Sequence, residues 1–389
     1  MNVLGWRIDK LIAIALFACA VNASAETAFL PTLKLGLEER YDSDFLLRQD
    51  NPQGTGQLIT KIAPQIGLDV KDHTLNATSF YASDVYFRHG SSVTGVDHRG
   101  ALEIKKETSR TTEVDGKVKI WRVSDPTSLP RLGLAREISP ILFGTAEVIG
   151  AIRLSARTTL RAGYLFEGVK VYETDRGVPA FLNAPYVETW YRATRRTEIG
   201  AEYRFQYFSL GGSRADSHAL AAAYRYHFTR HSHLTARAGP VLYEDRADSS
   251  RTGWLPRVNL EFVQDLPHFQ IALVAGHDLT GASGFSAAFW ADYASLYLTY
   301  KVSKPLGVFG GASYYRNGRA PNQGLWVFDS RAGNGTSQGY AVGGGLEWRI
   351  ARYLALQGAL YRIAQVAGPS GGVDLSRNIA SVRMVLTAL

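Results

Sequence analysis

The sequence predicts an all-β chain closed into a transmembrane, antiparallel, up-and-down β-barrel of about 18 strands (16–18). Three observations carry that expectation. Apolar and polar residues alternate in segment after segment, connections alternate between short and long, and the polar row is too charged for a dry core. Composition frames the choice: 389 residues, 46% hydrophobic and 11% aromatic, with 38 glycines, 20 tyrosines and a formal charge of +8. Such a chain is too apolar and aromatic to stay disordered. Its single cysteine excludes a disulfide scaffold and a four-cysteine zinc site. Beyond the N-terminal segment no stretch approaches the roughly 20 apolar residues of a spanning helix, which excludes a helical membrane protein.

The first element is a leader. Arg7 and Lys10 precede the apolar run 11–20, and Ala23-Ser24-Ala25 supplies a small-residue cleavage site. These are the parts of a secretory signal peptide over residues 1–25, leaving one barrel domain over 26–389. The rival is a lipoprotein acylated at Cys19, although Phe17 is bulky for such a site. Either way the chain leaves the cytoplasm.

From residue 31 onward, segments of about 10–15 residues alternate with the two-residue period of a strand. In 198–208, Ile199, Ala201, Tyr203, Phe205 and Tyr207 share one parity, and Glu198, Gly200, Glu202, Arg204 and Gln206 the other. Tyr340, Val342, Gly344, Leu346, Trp348 and Ile350 repeat the pattern against Gly345, Glu347 and Arg349. Short connections are expected at 71–73, 107–110, 156–158, 194–197, 229–232, 265–268, 303–305 and 350–353. Longer ones, rich in Gly, Pro, Asp and Ser, fall at 42–57, 89–95, 124–143, 173–184, 210–216, 246–254, 280–286, 317–338 and 367–375. Eighteen strands follow. Tight turns at one rim and long loops at the other are the organisation of an outer-membrane barrel. Hydrocarbon offers no hydrogen bonds to stray backbone groups, so a spanning sheet must close on itself.

The row expected to face inward holds Lys117, Lys119, Arg153, Arg161, Arg192, Arg204, Arg225, Arg237, Arg257, Arg349 and Arg383. Glu103, Asp115, Glu188, Glu202, Glu261 and Glu347 are interspersed. Burying so many ions in a dry core would be prohibitive, whereas lining a wet lumen costs little. Tyr86, Tyr172, Tyr243, Tyr314 and Trp348, near segment ends, suit interfacial aromatic girdles. The final residue, Leu389, is aliphatic where the assembly machinery usually meets an aromatic.

Short motifs then resemble a known family. Gly36-Leu37 followed by Tyr41-Asp42-Ser43-Asp44, and Pro64-Gln65-Ile66-Gly67-Leu68 opening the second strand, are similar to the β-barrel porins of Gram-negative bacteria often found alongside exopolysaccharide loci. Arg157-Thr158-Thr159-Leu160 with Gly163-Tyr164, and Arg195-Arg196-Thr197 with Gly200 and Tyr203, look like that family's turn-to-strand repeats. The family commonly carries Asn where Asp44 stands. The resemblance implies a passive outer-membrane conduit, in some members for a secreted polysaccharide, and brings no catalytic residues.

The expected function is therefore a porin-like channel, with exopolysaccharide export as its specific form. Rows of Lys and Arg favour anions, and confinement focuses their field; the alternative is a Glu/Arg ladder that only wets and stiffens the wall. Expected partners are outer-membrane lipid and lipopolysaccharide, the barrel-assembly machinery, anionic polysaccharide or small anionic solutes, and a separate periplasmic export partner. No nucleic acid, cofactor or metal is expected. Loops 124–143 and 317–338 are candidates for an inward constriction. His227, His231 and His233 at one turn, and Asp42, Asp44 and Asp50, fit no ordinary metal or calcium spacing. Gly368-Pro369-Ser370-Gly371-Gly372 lacks the strand–turn–helix context of a nucleophile elbow. Two other classes stay open: a structural or adhesive barrel closed by its loops, and an outer-membrane hydrolase drawing on Ser79, His98, His227 or His277.

Overall fold

In a computed structural model the described residues are 28–43, 56–90, 94–124, 141–171, 179–210, 213–246, 252–280, 289–319, 337–366 and 374–388. The expected leader, the centres of loops 124–143 and 317–338, Tyr172, Asp44, Asp50 and the Gly368–Gly372 motif lie outside them.

The strands run β1 Ala28–Asp42, β2 Gln57–Lys71, β3 Leu75–Arg88, β4 Thr94–Glu107, β5 Thr112–Val123 and β6 Ile141–Arg153. They continue as β7 Thr158–Val171, β8 Ala180–Arg192, β9 Thr197–Leu210, β10 Ser213–Thr229, β11 Ser232–Asp245 and β12 Gly253–Leu266. The last six are β13 Phe269–Thr280, β14 Phe289–Lys301, β15 Leu306–Arg319, β16 Ser337–Ala351, β17 Leu354–Val366 and β18 Leu375–Ala388. Each pairs antiparallel with its sequence neighbours, and β1 closes the sheet on β18 from Leu33↔Ala388 to Asp42↔Ile379. This is an 18-stranded up-and-down barrel without a free edge. All eight expected short turns fall between strands, and the nine other connections share the opposite rim.

Several strands begin inside the expected loops, and two do so by the widest margin. β8 begins at Ala180, inside the expected loop 173–184, and β10 begins at Ser213, inside 210–216. The cause is parity: Ala215 and Ser217 keep alternating with Arg214 and Asp216, so the β9 ladder runs on to Ser213↔Leu210. Polar composition marked these residues as loop although their pattern was already strand.

Burial separates the two faces. Leu33, Ile66, Val148, Ile199, Leu220, Val342, Leu346, Leu360 and Val382 stand exposed on one parity. The other parity is concave, because its side chains reach over intervening strands. Arg237 on β11 meets Glu188 on β8, and Arg257 on β12 meets Glu202 on β9. Three strand spacings amount to about 14 Å, a gap side chains close only where they converge. Apolar residues outside and ions inside invert the distribution of a soluble barrel. At 18 strands, about 4.8 Å apart and tilted about 40°, the backbone cylinder is roughly 35 Å across.

Candidate functional site

The register decides which side chains share the interior, since directly opposite residues lie on one face. Glu103↔Lys117, Ala101↔Lys119, Arg153↔Thr159, Arg161↔Glu188, Arg192↔Glu198 and Glu202↔Ala221 carry the inner parity from β4 to β10. Ala223↔Arg237, Gly239↔Arg257, Glu261↔Val274, Glu347↔Gln357 and Gln357↔Arg383 continue it around the wall. Arg204, Arg225 and Arg349 stand on the same parity of β9, β10 and β16, as does Asp115 of β5. The register thus puts all of these residues on one parity of the sheet.

It does not distribute them evenly. On β7 to β13 the charges condense into one node. Glu202, 2% exposed, accepts from Arg257 Nη1 at 2.7 Å and forms ion pairs with Arg204 Nη2 and Arg237 Nε, each 3.1 Å away. Arg257 also reaches Asp278 at 3.0 Å, and Glu188 bridges Arg161 and Arg237 at 3.4 Å each. Arg225 pairs with Glu198 at 3.2 Å. Trp190 is a plate beneath two of these cations, with the Arg225 and Arg237 guanidiniums 4.4 and 5.7 Å from its ring centre. Such stacking lets Arg surrender hydration that an ammonium would keep.

Elsewhere bases and acids stand side by side with looser pairing: Lys117 lies opposite Glu103 and Glu147, and Arg383 opposite Glu38. Among the described residues Lys117, Lys119, Arg153 and Arg383 make no ion pair within 4.0 Å, and Lys117 is exposed to the lumen. Arg192 and Arg349 hold loose pairs, at 3.6 Å to Glu198 and 3.4 Å to Glu347. Charge is thus compensated most tightly on β7 to β13, while Lys117, Lys119 and Arg153 of β5 and β6 hold no ion pair within 4.0 Å among the described residues.

Several inner residues were missed. Arg377, fully buried, donates to Asp42 at 2.8 Å from Nε and 2.5 Å from Nη2, and Arg40 joins the same carboxylate at 2.5 Å. Lys61 lies 2.6 Å from Glu38, and Arg99 forks onto Asp84 at 2.8 and 2.9 Å. Lys34, Gly36, Glu38, Arg40 and Asp42 share one parity of β1, a signal that would have placed Asp42 inside. Grouping Asp42 with Asp44 and Asp50 as a surface-loop set is corrected: its carboxylate is a wall strut.

The interior aromatics follow a second rule. Tyr186, Trp190, Tyr293, Tyr297, Phe309, Tyr315 and Tyr361 stand directly opposite Gly163, Gly200, Gly276, Gly311, Gly345, Gly339 and Gly343. At most of these glycines a Cβ would strike the ring: 2.3 Å from Tyr186 at Gly163, 2.1 Å from Tyr361 at Gly343. Each of these rings lies against a bare stretch of neighbouring backbone. Tyr186 and Tyr315 finish their packing with hydrogen bonds to Glu147 and Gln365.

The girdle assignment is corrected in part. Tyr314 and Trp348 are exposed on the outer face as expected. Tyr86 instead points inward and donates to Asp97 at 3.0 Å, and Tyr243 is 4% exposed in an inner cluster with Leu182, Phe208 and Val241. Position near a strand end had been used without parity.

The hydrolase candidates do not converge. Ser79, His98 and His277 take the outer parity, where Ser79 Oγ donates to the Leu68 carbonyl and His98 bonds Tyr81. His227 lies inside, its ring 5.8 Å from His233. Among the described residues no three His, Cys, Asp or Glu side chains gather in a metal-holding group.

No protein-family model matches the sequence, and no curated protein does. Solved structures show likeness in overall form. OccK7 (OpdD) of Pseudomonas aeruginosa has a TM-score of 0.45 over 94% of this chain and 98% of that one, at 11% identity. OccK2 (OpdF) of the same organism, solved in complex with glucuronate, gives 0.46 over 93% and 98%, at 11% identity. The outer membrane protein opdK, also from P. aeruginosa, gives 0.42 over 93% and 100%, at 14% identity.

Proposed function

We propose that the chain is a passive outer-membrane channel that conducts small hydrophilic solutes, anions in preference to cations. The observation that carries this is the inversion of faces: an apolar row outside and an ionic row inside a closed sheet about 35 Å across. Strands of 12–17 residues rise roughly 30–45 Å along the axis at that tilt, more than the apolar band of about 25 Å requires. With the short turns periplasmic, the long-loop rim faces the cell exterior.

The mechanism needs no tight site. A solute exchanges part of its hydration for many weak contacts and leaves as easily as it enters. Lys117, Lys119 and Arg153 supply the attraction, while the Glu202 node stiffens the strands that follow them around the wall. An acidic form of the exopolysaccharide that the sequence resemblance implies is the specific cargo we assign, moving along Lys119 and Arg153 of β5 and β6. Single-channel recording in a planar bilayer under a salt gradient, followed by acidic and neutral oligosaccharides, tests both levels. Anion-selective steps blocked by acidic glycans alone support the full account. Anion selectivity without glycan block keeps the channel and removes the polysaccharide. Silence from well-inserted protein refutes the channel.

A further inference from the structure

We propose that the outer wall around Arg362 of β17 holds the phosphorylated headgroup of an outer-leaflet lipid, specifically the lipid A portion of lipopolysaccharide. Arg362 stands on the outward parity: it pairs with Val342 and Asn378, and Val342 and Leu360 beside it are exposed, as are Val366 and Val382 farther along the same face. A cation on a lipid-facing wall is costly unless something compensates it, less so close to the interface. No carboxylate does so among the described residues.

Arg362 is held in place nonetheless. Nε donates to the Tyr340 hydroxyl at 3.2 Å, Nη1 to Asn378 Oδ1 at 3.1 Å and Nη2 to Ser376 Oγ at 3.5 Å. Three neutral oxygens on both flanking strands orient the guanidinium and leave its charge uncancelled. A guanidinium with spare N–H groups suits a phosphate, which accepts in the same planar, forked geometry.

Depth and shape agree. Tyr340 and Tyr314 face each other across β16 and β15, both exposed outward, at the level where amphipathic rings meet headgroups. A second cation, Arg316, lies beyond Tyr340 on the same face, and Asp292 across from it is taken by His277 at 2.5 Å. One step toward the membrane centre the wall is bare: Gly310 opposes Gly344, beside Leu360. A cation at headgroup level above a notch without side chains fits a phosphate joined to an acyl chain. The choice of leaflet rests on the orientation proposed above, with the long loops outside.

The test uses the full-length folded protein in detergent micelles doped with rough lipopolysaccharide or phosphatidylglycerol, with bound lipid counted by native mass spectrometry. Wild type is expected to retain lipopolysaccharide over phosphatidylglycerol. Arg362→Gln should bind it about tenfold more weakly, as loss of charge-assisted bonds predicts, while Arg362→Lys keeps part of the affinity. Gly310→Leu, whose Cβ meets nothing closer than 3.5 Å, should weaken retention by filling the notch. Heat-dependent gel mobility confirms that each variant is folded. Equal retention by wild type and Arg362→Gln overturns the proposal, and so does a preference for phosphatidylglycerol. Displacement of the lipid by millimolar inorganic phosphate, with Gly310→Leu unaffected, would assign the cation to free phosphate and overturn it too. Arg362→Gln should conduct like wild type. Protein that holds lipopolysaccharide through Arg362 yet passes no current supports this inference and refutes the channel.

Discussion

Replacing Glu202 with Gln probes the packed wall most sharply. The side chain keeps its size and one carbonyl oxygen, but loses its charge and turns an NH2 group toward three guanidiniums. Four cations (Arg161, Arg204, Arg237 and Arg257) share three carboxylates (Glu188, Glu202 and Asp278), so the substitution raises the node from one excess positive charge to two. Removing one partner of a buried ion pair costs about 3–5 kcal/mol. Arg257 is 4% exposed and keeps Asp278, whereas Arg204 at 22% and Arg237 at 16% can rehydrate from the lumen, which sets the expectation near the lower end, about 3 kcal/mol. Urea unfolding in lipid vesicles, followed by tryptophan fluorescence, measures it. Trp190 lies inside the node and reports the transition locally. The reversal potential in a salt gradient should shift toward anions at the same time. A midpoint within about 0.5 kcal/mol of wild type, with an unchanged reversal potential, would mean that the carboxylate is solvated and the node holds nothing together.

Other substitutions separate charge from packing. Lys119→Glu removes a base of β5 that faces only Ala101 and Thr145; the reversal potential should move toward cations while stability changes by less than about 0.5 kcal/mol, since no ion pair is lost. Gly163→Val drives a side chain into the Tyr186 ring, 2.3 Å from where its Cβ would stand, and should cost about 1–3 kcal/mol and lower the conductance as the ring swings inward. Gly116→Ala, with nothing within 4 Å, is the matched control and should unfold like wild type in the same urea titration. Asp42→Ala leaves the fully buried Arg377 without its bidentate carboxylate and should lower the urea midpoint by at least as much as Glu202→Gln.

Much of this architecture was legible because the two-residue period of a strand is local. Ile199, Ala201 and Tyr203 announce their face without reference to any other segment, and the turn residues at 71–73 and 303–305 announce the rims. What was illegible depends on register. Nothing in 180–192 says that Tyr186 will lie opposite Gly163, because a shift of two residues preserves the face and changes every partner. The same holds for Glu202, which reads as one acid in a row until β12 brings Arg257 to it. Asp42 and Tyr86 were misplaced for the opposite reason: their parity was available, but proximity to a loop outweighed it.

The central claim is that the charged row lines an open, water-filled passage while the apolar row meets lipid. Cysteine placed at Lys117 and, separately, at Leu220 tests both halves in one experiment, using a membrane-impermeant sulfonated thiol reagent during single-channel recording. The account predicts stepwise current loss and a shift toward cations for Lys117→Cys, with Leu220→Cys unmodified and its conductance unchanged. Reaction at Leu220→Cys with Lys117→Cys inert, or current that persists unaltered after Lys117→Cys is labelled, would contradict it.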